Sequence, residues 1–328
     1  MFTRDEAVMA IENAAEAAAL FDTDPRLAHR HYRALAAALH PDRNPGDSRA
    51  HKAAAALNHL YDDWKRGRVQ TVTTVTSAYP LTRTHAIGSV ATTYRTTGPH
   101  LVKLVRNPAL NPLIHAEWAA LRTLDAFTER HRWLRPYYPR LLDTSGPVAR
   151  GERAFSVLEP LVDGFVTLAD IGKAFPDGLD GRDYAWMHRR LLRAMAGAHR
   201  AGVVHGHLTG DNVLVHPERH GIVLIGWSFA VEDGALPLAV DNSAEYPPEV
   251  HKGLPMTPAT DVHMLHQLML SLLAPGETRQ REFATWCTQE TPGQRPDAVD
   301  LLDEYDDLIG ELYGPRTFRP FTIPETGA

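Results

Sequence analysis

Cysteine is almost absent from this chain, with a single residue, Cys287, among 328. One thiol closes no internal disulfide and builds no cysteine zinc cluster, so the composition suits a reducing compartment and Cys287 reads as a core thiol. Long apolar runs are also missing. No stretch approaches the roughly 20 apolar residues that a membrane-spanning helix needs. Asp5 and Glu6 stand where a secretory leader would be basic and then apolar. A cytoplasmic protein with no membrane partner is therefore expected. There is no basic surplus either: 34 Lys and Arg against 40 Asp and Glu give a formal charge of −6. That balance offers nothing to neutralise a phosphate backbone and argues against nucleic acid as a partner. Histidines are plentiful, at 18, but none is grouped in zinc spacing alongside cysteine, so no metal site is expected.

What is present is ordinary for soluble globular protein, 44% apolar and 23% charged, in a chain long enough for two cores. The stretch Arg4 to Leu20 reads as an alanine-rich helix with Ile11, Ala15 and Leu20 at helical spacing. Asp22, Asp24 and Pro25 break it and start the next helix, about Arg26 to Leu39. That helix sets Leu27, Tyr32, Leu35 and Leu39 on one face and His29, Arg30 and Arg33 on the other, and Pro41 stops it. A polar loop leads to a third helix, Ser48 to Lys65, carrying Ala53, Leu57, Leu60, Tyr61 and Trp64. The expected domain, residues 1–68, is an antiparallel helix pair with a leading helix.

Residues 69–78, rich in valine and threonine, read as either a linker or a first strand. Short strands follow at Leu81 to Ala86, Ser89 to Arg95 and His100 to Val105, then a helix from Ile114 to Thr128 and a strand from Ala154 to Leu158. From Thr167 the pattern is mainly helical. A sheet-rich lobe, residues 79–163, thus precedes a helical lobe, 164–328, whose tail from Arg316 to Pro324 reads as an extended strap with Phe318 and Phe321 among prolines. The fold class is α+β in two domains.

His40 to Pro45 reads HPDRNP between an amphipathic helix with a basic outer face and a helix ending in an aromatic. This resembles the J domain of the DnaJ family. The resemblance implies that His40, Pro41 and Asp42 trigger ATP hydrolysis in a DnaK-type Hsp70 chaperone, and that Arg30 and Arg33 dock on an acidic Hsp70 surface. The leading segment departs from the family, an alanine-rich helix replacing the usual tyrosine and leucine-glycine pair.

A second resemblance runs from residue 79 to about 313, to the protein kinase domain. His205 to Val215 reads HGHLTGDNVLV and aligns without gaps on the kinase catalytic loop, usually HRDLKPENVLL. Asn212 falls on the metal-binding asparagine, while His207 stands where the catalytic aspartate belongs. Fourteen residues after Asn212, in IVLIGW, Gly226 takes the place of the metal-binding aspartate. The resemblance further makes Lys103 the phosphate-binding lysine and Glu117 its helix partner; that pair reads equally as a structural salt bridge. Glu249, in YPPE, is expected to pair with Arg295, in GQRP, and Asp261 to tie the catalytic loop to the central helix. Of the phosphate-covering loop only Gly88 remains among Ile87 to Tyr94.

Without the two aspartates, a general base that contributes about 10² to 10⁴ in rate and the magnesium that neutralises the transferring phosphoryl group are both missing. His207 and Asp211 are poor replacements: Asp211 precedes the metal asparagine in a tight loop. The expected function is an Hsp70 co-chaperone whose kinase-like part binds an unknown client, with no catalytic residue. ATP is the one cofactor left open, through Lys103, Glu117 and Asn212, without ordinary magnesium-dependent turnover. The alternative is an active protein kinase or nucleotidyltransferase with a non-standard site.

Overall fold

The computed structural model describes residues 2–14, 17–22, 24–67 and 71–324. The chain divides into two compact units, Met1–Thr71 and Val72–Ala328.

In the first unit, helix α1 (Arg4–Glu12) starts on a capping box between Thr3 and Glu6 and stops at Asn13. The single helix expected over Arg4 to Leu20 is therefore two pieces, α1 and the short α2 (Ala17–Leu20). Asparagine competes for backbone hydrogen bonds and favours helix ends, and Ala15 lies outside the described residues. Helix α3 (Pro25–Ala38) is capped by Asp24, which accepts from the Arg26 N–H at 2.7 Å. Its buried face carries Ala28, Leu35 and then Leu39. Leu27, expected on that face, is 45% exposed, because spacings of seven and four from Ala28 put it one position out of phase. Helix α4 (Ser48–Gly67) buries Ala50, Ala53, Leu57 and Trp64 against α1 and α3. Arg49 grips Glu12 in a fork of 2.9 and 2.6 Å, and Arg4 pairs with Asp47. Tyr32 stacks on Tyr61 at 4.1 Å, while the Trp64 indole donates to the Asp22 carbonyl at 3.0 Å.

The second unit opens on a six-stranded antiparallel sheet: β1 (Thr71–Thr73), β2 (Ala78–Ile87), β3 (Ala91–Thr96), β4 (Leu101–Val105), β5 (Leu141–Thr144) and β6 (Phe155–Leu158), in the order β1-β2-β3-β4-β6-β5. Residues 71–73 thus belong to a strand, and residues 69 and 70 lie outside the described set. The edge strand β5 was not expected from sequence; it is four residues long and pairs with β6 through a register shift. Helix α5 (Asn111–Arg130) begins earlier than expected, behind Pro108 and the Asn107 cap, and packs Leu113, Ile114 and Trp118 into the sheet lobe.

The helical lobe holds the short strand β7 (Val166–Thr167), α6 (Leu168–Ala174), α7 (Gly181–Arg200), β8 (Val203–Val204), β9 (Val213–His216), β10 (Gly221–Leu224), β11 (Val231–Glu232), α8 (Pro248–His251), α9 (Pro258–Leu272), α10 (Thr278–Cys287) and α11 (Ala298–Tyr313). The antiparallel pairs β9 with β10 and β8 with β11 frame the loops between them. Cys287 is buried, and burial pushes its thiol up, as for an inert core sulfur. The tail lies as an extended strap: Phe321 is buried beside Phe175 and Trp186, Phe318 covers His220 at 4.5 Å, and Arg319 pairs with Asp183. No helix among the described residues is long and apolar enough to cross a membrane.

At the heart of this lobe, His188 and His266 are fully buried with ring centroids 5.0 Å apart. Neither His188 nitrogen has a hydrogen-bond partner. Burial holds His188 well below the ordinary imidazole value and pushes His266 down to about 4. Unfolded, both rings would take protons near pH 6.5. Between about 6.5 and 4 the unfolded chain therefore binds more protons than the folded one, and stability falls as pH falls. Urea unfolding of the full chain should show a lower midpoint at pH 5 than at pH 7.5. The pH-dependent part should exceed about 1.4 kcal/mol, one pKa unit's worth, and should shrink in His188→Leu.

Candidate functional site

Two buried ionic anchors hold the floor of the cleft between the lobes. Asp261, on α9, is wholly buried; its carboxylate accepts from the backbone N–H groups of His205 at 2.7 Å and Gly206 at 2.9 Å, and from His199 at 2.9 Å. Three donors satisfy a charge that burial would otherwise make costly. Gly206 has φ +68° and lies against the Phe229 carbonyl, so the loop turns there with no room for a side chain. The second anchor is Glu249 with Arg295, a fork of 2.6 and 3.0 Å. Thr260 adds a hydroxyl to Glu249 at 3.2 Å, and Arg295 also donates to the carbonyls of Ala259, Gln289 and Glu290. Burial pushes the Glu249 carboxyl up, yet these partners hold it below its usual value.

On the sheet side, Lys103 on β4 donates to Glu117 on α5, joining strand and helix. The network extends further than the sequence indicated. Lys103 also donates to Ser228 Oγ at 3.0 Å, Ser228 donates to Glu117 at 3.0 Å, and Ser156, opposite Lys103 on β6, donates to the other Glu117 oxygen at 3.2 Å. Ser156 is itself held by the Trp118 indole at 2.9 Å. Both serines and Glu117 are buried. Two of the three ammonium donors of Lys103 thus lie inside a closed network.

The catalytic-loop positions are arranged quite differently. The amide nitrogen of Asn212 donates to the His207 carbonyl at 2.9 Å and faces His207 Nδ1 at 2.9 Å. The carbonyl contact fixes which way the amide points, so Nδ1 accepts and the His207 proton sits on Nε2. That nitrogen is buried without a partner, 3.8 Å from Asp241, too long for a hydrogen bond. Burial, with His205 close by, pushes His207 down to about 4, so at neutral pH the ring is uncharged and the Asp241 contact is no ion pair. Burial raises Asp241, but bonds from Ser243 and Ser89 outweigh this and keep it below the usual carboxylate value. Ser243 reaches it through N–H and Oγ at 3.0 and 2.7 Å.

Gly226 completes the arrangement. Its φ is +82°, and a Cβ built there would stand 2.1 Å from Asn212 Oδ1. The amide of Asn212 therefore occupies the space from which an aspartate side chain would leave the backbone. These residues do not fit a magnesium ion, which takes oxygen ligands with carboxylates among them. Asn212 supplies one amide oxygen, packed against Gly226, and no carboxylate, Gly226 has no side chain, Asp241 is engaged by serines, and Asp211 is exposed. No group of three or more His, Cys, Asp or Glu side chains among the described residues is placed to hold a metal. In this tautomer His207 Nε2 carries the proton and Nδ1 faces the Asn212 amide, so neither nitrogen is free to accept one. The site brings together Lys103 with Glu117, and His207, Asn212 and Gly226 as a packed cluster. Sequence reasoning missed Ser156, Ser228, Ser89 and Asp241. Only Ser228 had a signal, standing two residues after Gly226.

In the first unit, His40, Pro41 and Asp42 form an exposed turn between α3 and α4, with side-chain exposures of 56% for His40 and 88% for Asp42. The Asp42 N–H donates to His40 Nδ1 at 3.2 Å, which leaves Nε2–H facing outward. Asn44 pins the turn by donating to the carbonyls of Ala38 at 2.9 Å and His40 at 3.1 Å. Arg30 and Arg33 are exposed on α3.

Solved protein kinases share the architecture of the second unit. Vaccinia related kinase 3 superposes with a TM-score of 0.57 at 18% identity, over 74% of this chain and 91% of that one. The PknI kinase domain of Mycobacterium tuberculosis gives 0.53 at 15% identity, over 72% and 97%. No family model and no curated protein matches the chain. The chain has a protein-kinase-like bilobal fold.

If Asn212 and Gly226 are one packing unit, Gly226→Asp should destabilise strongly. The left-handed backbone alone costs about 1–2 kcal/mol for an L-residue, and the collision with Asn212 adds to it. Urea unfolding should show a loss above about 2 kcal/mol, partly recovered in the double variant Gly226→Asp with Asn212→Gly, because the two sites are coupled.

Proposed function

We propose that this chain is an Hsp70 co-chaperone in which residues 1–68 act as a J domain and the kinase-like domain acts as a binding module that selects a client without phosphorylating it. The observation that carries the first half is the HPDRNP turn. It is exposed, pinned by Asn44, and set between antiparallel helices with Arg30 and Arg33 on the outer face. Exposed arginines beside a rigid turn suit electrostatic steering onto an acidic partner, which raises the association rate. Support for the second half comes from the cleft. Asn212 and Gly226 leave no ligand set for magnesium, and neither His207 nitrogen is free to accept a proton. Ser228 and Glu117 hold Lys103 as a brace between strand and helix, and Ser156 holds Glu117 in turn.

A second reading is an active protein kinase with an unusual site. The kinase-like fold and the intact Lys103 to Glu117 pair favour it. The two readings part in one experiment with the full chain, a DnaK-type Hsp70 and labelled ATP. On the co-chaperone reading, the chain stimulates Hsp70 ATP hydrolysis, His40→Gln removes the stimulation, and Lys103→Ala leaves it intact. Stimulation that survives His40→Gln refutes the J-domain assignment. Phosphate transferred to protein by the chain alone, and lost in Lys103→Ala, establishes the kinase reading instead.

A further inference from the structure

Away from the cleft, the C-terminal end of α5, the turn Arg132–Tyr137, α7 and α11 surround a small cavity of about 50 Å³. Its floor is apolar, with Phe127 from α5 and Leu302 from α11. Gly197 on α7 lets the floor close: a Cβ there would come within 2.5 Å of the Tyr138 hydroxyl and 2.9 Å of Leu134. The rim is basic. His131, Arg193 and Arg200 line it, and the lining includes no carboxylate. Trp133 stands at the mouth, 59% exposed, with the Arg193 guanidinium 5.9 Å from its ring centroid.

Two nearby arginines are neutralised. Arg189, one turn before Arg193 on α7, forks onto Asp306, and Arg135 pairs with Asp125. Among the described residues, neither Arg193 nor Arg200 bonds to a carboxylate. Two arginines without a carboxylate partner, gathered around an apolar hole on a chain of net charge −6, give this rim the sign opposite to the whole. We propose that this cavity is a docking site for a short acidic segment of a partner protein. One small apolar side chain enters the hole, and flanking carboxylates meet Arg193 and Arg200 in charge-assisted hydrogen bonds. A few carboxylates sense only the patch, since charges beyond about 8 Å are screened at physiological salt. A long polyanion would extend beyond the patch over a chain of formal charge −6, so nucleic acid is the poorer occupant. Exposed tryptophan and arginine at one mouth are the side chains most often found anchoring protein interfaces. The proposal rests neither on the cleft nor on the helical unit.

The test uses the full chain and a fluorescein-labelled, acetylated peptide of four glutamates flanking one alanine, followed by anisotropy at about 0.15 M salt. Saturable binding is expected, weakened about tenfold or more by Arg200→Glu and by Arg193→Glu, as the loss of a charge-assisted contact implies, and weakened also by Trp133→Ala. Arg200 and Trp133 are exposed, so those two variants keep the test valid should Arg193→Glu disturb folding. Absence of saturable binding up to millimolar peptide overturns the proposal. So does binding unchanged in Arg200→Glu and Trp133→Ala, or equal displacement by inorganic phosphate at matched ionic strength, which would mean that the apolar hole plays no part.

Discussion

The second unit depends on one buried carboxylate. Asp261 sits on α9 in the middle of the helical lobe and takes the backbone N–H groups of two successive loop residues, together with an imidazole. An unpaired charge at that depth would be untenable, so folding α9 into the core dictates where His205 and Gly206 lie. From there the loop has little freedom. His205 reaches the Ile225 carbonyl at 2.8 Å, and the Ile225 N–H returns to the Asn212 carbonyl at 2.9 Å. Asn212 and Gly226 are thus brought face to face by the same tether that fixes the loop.

What distinguishes this molecule is how it uses that imposed proximity. In an active kinase the corresponding positions converge on metal and phosphate. Here they converge on each other. A histidine in place of one aspartate supplies an acceptor and a carbonyl for the asparagine amide, and a glycine in place of the other makes room for it. The two residues are complementary, which explains how the loop packs well without either carboxylate. Ser228 performs a parallel service on the sheet side. It bridges Lys103 and Glu117 where an ordinary kinase has a glycine, so the lysine is secured as part of the scaffold. The anchors fix the loops of the helical lobe, and Ser228 ties that lobe to Lys103 and Glu117 on the sheet side.

Much of this was legible in the sequence, for reasons that differ by element. The helices α3 and α4 follow from apolar periodicity and from Asp24 and Pro25 at the first turn. The phase was misread at Leu27 because a buried alanine, Ala28, carries too little hydrophobicity to outweigh a leucine beside it. Asn13 divides the first helix, and an alanine-rich stretch gives no periodic signal to reveal the break. Strand β5 is only four residues with a shifted register, below what alternation detects. The pairings of Lys103 with Glu117 and of Glu249 with Arg295, and the role of Asp261, were visible because their motifs occur in kinase order. Ser89 and Asp241 were not, since they meet only through the tertiary fold, from a strand-connecting turn and an irregular segment about 150 residues apart, and no local pattern encodes such a meeting.

The central claim is that the loop cluster excludes magnesium while the scaffold stands. Thermal unfolding of the full chain with ATP in excess magnesium and with ATP in excess chelator addresses it directly, because a ligand that binds only the folded state raises the midpoint. The account predicts the same midpoint in both, whether or not ATP itself stabilises the chain. A magnesium-dependent rise that disappears in Asn212→Ala would contradict it.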